Sequence, residues 1–295
     1  MEDYKKVPYT YEQHLELLGS RGLKVTSPDY AIQFLMHVNY YRFTAYCIPF
    51  QNTRDNFIPG TKFEDIAELY RLDESLRNAM MAALSPIEVC FRTRIAYELS
   101  HMEGAFAHHK SEIFHQTFDH NEWIASLEEA TLSSKEKFLE HYRTKYNDFP
   151  RLPLWIACEI MSLGRLSQLY NGLLPPIQRK ICSTVGIKYF VLGSWLHVVT
   201  YLRNICAHHS RLWNRELQIK PRLPNKDTKW TSLGLDNSHL FASVALIEWI
   251  YKSTNLEITY VEQVHEAMRK IAILKPSFSE KMGVPADREI GMCFD

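Results

Sequence analysis

Glycine and proline are scarce in this chain, at 11 and 13 of 295 residues, which excludes a collagen-like repeat, a low-complexity linker and a turn-rich all-β protein. Long apolar runs are missing too. No stretch of about 18 apolar residues occurs, so no membrane span is expected. Met1 to Lys6 lead into polar sequence rather than the apolar core of a secretion signal. The six cysteines, at 47, 90, 158, 182, 206 and 293, form no CxxC pair and no metal-ligand cluster, which argues against a disulfide scaffold or a zinc site and fits a reducing cytoplasm. An excess of one charge is also lacking. Lys plus Arg equals Asp plus Glu at 34 each, so any hold on nucleic acid must come from a local patch.

What the chain does have is apolar residues, 46%, and aromatics, 13%, enough for a core in one folded body. Helix punctuation dominates. Thr10 with Gln13 reads as a capping box before a helix over 11–18, and Ser27-Pro28 opens one running to about His37. The aromatic run Asn39 to Phe43 is expected to lead into a loop near Pro49 and 55–60. Thr61 with Glu64 reads as the next capping box, opening two nearly continuous helices over 62–101 that bend or restart at Ser85-Pro86, with Glu88 and Arg92 as an i,i+4 pair. Residues 102–121, rich in histidine, carry the weakest signal. Helices are expected over 122–146, 153–171, 176–184, 188–209, 238–253 and 258–274. The class is mainly α: a helical bundle with an N-terminal helical extension over 1–60, a helical domain over 61–275 with an insertion near 102–121, and a tail over 276–295.

Chemistry concentrates in one place. From Arg203 to Trp230 seven cationic residues face two acidic ones. At the start of this stretch, Asn204 and His208 stand i,i+4 on one helical face, and Arg203, about 100° away, is long enough to reach the same phosphate. Arg offers a charged planar fork and His titrates near neutrality, a minimum kit for phosphodiester cleavage. RNA brings its own nucleophile, the 2′-hydroxyl, so no metal and no cofactor is required of such a site. Spacing alone leaves a structural helix end open, since His is favourable there for the dipole. His209, Arg211, Asn214 and Arg215 follow closely enough to contact neighbouring phosphates. Tyr40, Tyr41 and Trp213 are candidates for stacking on bases. The histidines at 108, 109, 115 and 120 lack zinc-site spacing.

Several separate segments together resemble a known family: RGL at 21–23, NYYRF at 39–43, PGTKFEDIAELYRLDESLR at 59–77, IEVCFRTRIAYELS at 87–100, PLWIACEIMSLGRLSQLY at 153–170 and RNICAHHSRLWNR at 203–215. Over roughly residues 5–225 the chain resembles the Abi-like abortive-infection proteins of the Abi-D/Abi-F group. These in turn resemble HEPN-domain proteins with an Arg-polar-x(3)-His motif. The resemblance implies a HEPN-like core, with Arg203 and His208 in the motif's Arg and His positions and Asn204 at its polar second position. It also implies RNA cleavage, phage defence, and a homodimer in which two motifs line one cleft. Arg94 and His101 match a looser form of the motif, but the structural reading, with Glu98 as a helix-face partner of Arg94, is preferred for them. Arg92 and Arg94 are counted as possible RNA contacts. Two other readings stay open: a non-catalytic protein that holds a structured small RNA, and a protein-docking role for residues 102–121.

Overall fold

The first helix starts as its sequence reads. Thr10 Oγ1 accepts from the Gln13 N–H at 3.3 Å and Gln13 Oε1 accepts from the Thr10 N–H at 2.8 Å, a capping box that opens α1 (Tyr11–Ser20). The computed structural model describes residue 3 and residues 7–294. Pro28 stands first in α2 (Pro28–Val38). The aromatic run beyond it forms a helix of its own before the expected loop, α3 (Tyr40–Cys47), because Phe43, Tyr46 and Cys47 recur at helical spacing and are buried. Asn39 caps it, its Oδ1 accepting from the Tyr41 N–H at 2.8 Å. The loop that follows holds a small antiparallel hairpin, β1 (Gln51–Thr53) with β2 (Asn56–Phe57), which the sequence pattern did not announce.

The spine of the molecule is α4 (Phe63–Glu103), a single helix that runs through Pro86 where two were expected. Proline removes one backbone hydrogen bond there. Ile66, Leu69, Leu76, Met80, Ile87, Phe91 and Ile95 keep the helix buried on either side of it, so packing outweighs the break. The cap sits one residue later than Thr61 and Glu64 suggest: Asp65 Oδ2 accepts from the Lys62 N–H at 3.0 Å. Glu64 instead receives the Thr26 hydroxyl at 2.6 Å and the Ser27 N–H at 3.2 Å, which binds the start of α2 to α4.

Within 102–121, the end of α4 and the start of the next helix enclose a connection with two single 3-10 turns, Ala107–His109 and Ser111–Ile113. The Leu154 N–H donates to Ala105 O at 2.7 Å and the Leu174 N–H to Ile113 O at 2.9 Å, anchoring them. The helix expected over 122–146 is two, α5 (His120–Ser133) and α6 (Lys137–Lys145), and that expected over 153–171 is also two, α7 (Leu154–Ile160) and α8 (Leu163–Gly172). Ser162 restarts the latter, its Oγ accepting from the Arg165 N–H at 3.2 Å. Then come α9 (Pro175–Cys182), α10 (Tyr189–Ala207), a short α11 (Thr228–Thr231), α12 (Leu240–Thr254), α13 (Thr259–Leu274) and a short α14 (Ser277–Glu280). The architecture is mainly α. The spine α4 packs against α13, α7 and α10, and one apolar cluster extends from Leu15 to Ile290. Among the described residues no helix is long and apolar enough to cross a membrane.

Candidate functional site

Helix α10 is buried on nearly every side. Val191, Leu192, Trp195, Leu196, Val198, Val199, Leu202, Ile205 and Cys206 all lie in the core, and each fully buried aliphatic side chain contributes roughly 1.5–3 kcal/mol. The helix is therefore a rigid base. Along its second half His197, Asn204 and His208 are exposed and Tyr201 is partly so, a spacing of four, three and four residues that forms one stripe on one face. Arg203 is half-buried and lies off that stripe, about 100° round the helix from Asn204. Sequence reading singled out Arg203, Asn204 and His208 but missed His197 and Tyr201, although their spacing from Asn204 was there to be counted.

The end of the helix is closed by its own backbone. The His208 N–H donates to Asn204 O, the His209 N–H to Cys206 O and the Ser210 N–H to Ile205 O, at 3.0, 3.0 and 2.9 Å. With His209 in the left-handed region at φ 53°, this is a Schellman turn with a histidine where glycine is usual. Asn204 and His208 thus belong to consecutive turns whose relative position is set by main-chain bonds. The Arg42 guanidinium on α3 donates to the His209 carbonyl oxygen, fixing the turn from outside.

Beyond the turn the chain is held by a buried carboxylate. Asp73 on α4 is fully buried. Its Oδ1 accepts from the Leu212 N–H at 3.2 Å and from the Trp213 N–H at 2.8 Å, and its Oδ2 accepts from the Tyr46 hydroxyl at 2.6 Å and from the Arg77 guanidinium. Burial pushes the Asp73 carboxyl up from its ordinary range, against the pull of Arg77, Tyr46 and the two backbone N–H groups. Burial likewise drives the Tyr46 hydroxyl up, so it stays a donor. The loop after the candidate residues is thereby locked to α3 and α4. No role for Asp73, Arg77 or Tyr46 was read from the sequence. A carboxylate and a guanidinium i,i+4 in an apolar helical stripe were the available signal.

The remaining candidates are placed differently. Arg211 is half-buried and donates to Ala45 O at 2.6 Å, and Arg215 Nε donates to Arg211 O at 2.9 Å, so both help hold the loop. Asn214 is half-buried with φ 47°, and His209 is exposed. Trp213 is fully buried against Phe278 and is core, not a base-stacking platform. Tyr40 stacks on His14, while Tyr41 is 86% exposed beside Arg42. Arg92 pairs with Glu88 at 2.6 Å, as the spacing predicts, and also donates to Met161 O at 2.8 Å. Arg94 bonds Thr184, and Glu98 faces Lys180 at 3.9 Å rather than Arg94. Arg92 lies fifteen residues beyond Arg77, about 22 Å along the same helix, so α4 does not carry it to the end of α10. His101 Nδ1 lies 2.7 Å from Tyr97 O.

Among the histidines of 102–121, His108 is fully buried with neither ring nitrogen bonded among the described residues, and burial, with His109, Arg151 and His120 nearby, pushes it down to about 3. Burial also lowers His109, to about 4. Among the described residues no group of three or more His, Cys, Asp or Glu is arranged to hold a metal ion.

The arrangement places an exposed amide and imidazole and a half-buried cation at a fixed helix end. That set can grip and orient a phosphodiester and move its protons. A family model described as Abi-like protein matches residues 33–214, a span that runs from α2 through α3, α4 and α10 to the loop held by Asp73. No curated protein and no solved structure matches the chain.

Proposed function

Because the chain belongs to the Abi-like protein family, we propose that it acts in abortive infection, limiting phage spread, as a toxin-like endoribonuclease of the HEPN type. The observation that carries this reading is the placement of exposed Asn204 and His208, with half-buried Arg203 beside them in sequence, at the main-chain-locked end of an otherwise buried helix. Arg203 neutralises the scissile phosphate and the charge that grows on it as the phosphorane forms. Asn204 orients a non-bridging oxygen or the 2′-hydroxyl. His208 moves the proton.

In the reaction the 2′-oxygen loses its proton to a base and bonds to phosphorus, the bond from phosphorus to the 5′-oxygen breaks, and that oxygen takes a proton from an acid. The products are a 2′,3′-cyclic phosphate and a 5′-hydroxyl. One His208 cannot be base and acid in the same step, and a two-fold homodimer supplies a second copy at a composite site. The chemistry uses the substrate's own hydroxyl and calls for no metal.

The test is RNA incubated with the purified protein in EDTA. Fragments with cyclic phosphate ends are expected, with His208→Ala slower by about 10²–10⁴-fold and RNA carrying a 2′-deoxy residue at the scissile position left uncut. Full activity in His208→Ala would refute the assignment. RNA that copurifies and stays intact would favour the alternative of a protein that holds a structured small RNA without cutting it.

A further inference from the structure

The exposed stripe of α10 does not stop at Asn204. Followed towards the start of the helix it passes Tyr201, whose buried hydroxyl has no hydrogen-bond partner among the described residues, then His197 and Ser194, and ends at Phe190, 41% exposed. Counted at 100° per residue, these positions and His208 fall within about 40° of one line. Around Phe190 the surface is cationic. The Lys188 ammonium and the Arg222 guanidinium each lie 5.8 Å from its ring centroid, and Arg179 lies 5.2 Å from the ring of the adjoining Tyr189. All three cations are exposed, and none forms an ion pair among the described residues.

Arg222 reaches this place because its strap of chain is fastened to α10 at both backbone groups. Its N–H donates to Ser194 Oγ at 2.9 Å, and its carbonyl oxygen accepts from Trp195 Nε1 at 2.8 Å. A residue far from Phe190 in sequence is thus built into the same end of the helix. Unpaired positive charge beside an exposed aromatic ring, joined along one helix face through Ser194, His197 and Asn204 to the proposed phosphate site, is what a single nucleic-acid strand requires.

We propose that a single-stranded RNA lies along the outward face of α10, its scissile phosphate at Arg203, Asn204 and His208 and an unpaired base stacked at Phe190, with Lys188 and Arg222 on the flanking phosphates. This rests on the ribonuclease reading for the identity of the cleaving end, and it adds the substrate class and the second end of the track. From Phe190 to His208 the helix rises about 27 Å, the span of about eight stacked nucleotides at 3.4 Å each. Paired RNA buries its base faces in the stack and cannot offer one to Phe190.

The experiment measures fluorescence anisotropy of labelled RNA on the full chain carrying His208→Ala, which separates binding from cutting. Single-stranded oligomers of four to twelve nucleotides are compared with a duplex. Affinity is expected to rise with length to about eight nucleotides and then level, and to exceed that for the duplex. Phe190→Ala should weaken the longer strands on the order of 10-fold, with Phe190→Trp restoring them, and Arg222→Ala should reduce the salt slope by about 0.7. Both positions are exposed, so the folded state is checked by circular dichroism rather than assumed. Equal affinity for duplex, or no loss in Phe190→Ala, would overturn the track. No affinity for either RNA would also overturn it and leave the stripe as a protein-facing surface. The two readings fail separately: cutting by wild type with no effect of Phe190→Ala sinks only the track, and a Phe190-dependent strand that wild type never cuts sinks only the nuclease.

Discussion

Replacing Asp73 with alanine removes the acceptor of four donors at once. The Arg77 guanidinium, its side chain 4% exposed, loses its only carboxylate among the described residues, the Tyr46 hydroxyl loses its acceptor, and the Leu212 and Trp213 N–H groups are stranded in the core. Breaking a buried ion pair from one side costs about 3–5 kcal/mol, and each stranded backbone donor about 1–3 kcal/mol. These terms overlap, so a loss on the order of 5 kcal/mol is expected, as large as the whole stability of many domains. The informative variants are milder. Asp73→Asn keeps an oxygen for the two N–H groups but faces Arg77 without charge, and adding Arg77→Gln removes the stranded cation. Asp73→Asn/Arg77→Gln should therefore recover part of the loss, whereas Asp73→Leu/Arg77→Met should not, because Leu212 and Trp213 remain unbonded. Urea unfolding gives the energies, and hydrogen exchange at the Leu212 and Trp213 amides reports the loop. A Leu/Met pair as stable as wild type would refute the claim that Asp73 serves the backbone after α10 rather than Arg77 alone.

Other outcomes follow from single features. His209→Gly should be neutral or stabilising by about 1 kcal/mol, since glycine suits φ 53° and the carbonyl that Arg42 binds is kept; a drop in Tm would show that the imidazole itself holds the turn. Arg211→Ala should lower stability by about 1–2 kcal/mol through the lost bond to Ala45 O, while Arg203→Ala, with no hydrogen-bond partner among the described residues, should leave the urea midpoint in place and weaken RNA binding. Stability should fall in acid: burial holds His265 down at about 4 in the fold, below the roughly 6.5 of an unfolded histidine, so the unfolded chain binds more protons between those values. Lowering the pH from about 6.5 to 4 should then cost up to about 3 kcal/mol from this residue, and His265→Leu should reduce the slope of the urea midpoint over that window, with His108 and His109 keeping the rest.

The helical class and most helix starts were legible because caps and prolines act locally: Thr10 with Gln13, and Pro28, do in the fold what they do in isolation. The errors share a cause in tertiary contact. Asn39 to Phe43 reads only as the way into a loop until Phe43 and Tyr46 are seen to face α4, and Pro86 reads as a break until the burial around it is known. Glu64 looked like a cap and is a tether to Thr26 because a neighbouring helix offered a second use for it. At the site, Arg203, Asn204 and His208 could be named from spacing, but their fixing could not. It comes from Arg42, Asp73 and Arg77, more than a hundred residues away along the chain.

Charge counting along the sequence marks seven cations between Arg203 and Trp230 as one basic patch, and the fold divides them by what their donors already do. A guanidinium that donates to a protein carbonyl, as Arg211 does to Ala45, can meet a phosphate only with its remaining N–H groups or by giving up that bond. Lys220 is neutralised by Glu216 at 3.2 Å. Arg203 and Arg222 have no such obligation on their side chains among the described residues, and they lie at opposite ends of α10, which a run of charge in the sequence cannot convey. The basic stretch is therefore less one patch than separate pieces: Arg203 at the C-terminal end of α10, Arg222 returned to Phe190, the Arg211–Trp213 segment between them bonded to Ala45 and Asp73, and Lys226 and Lys229 exposed beyond.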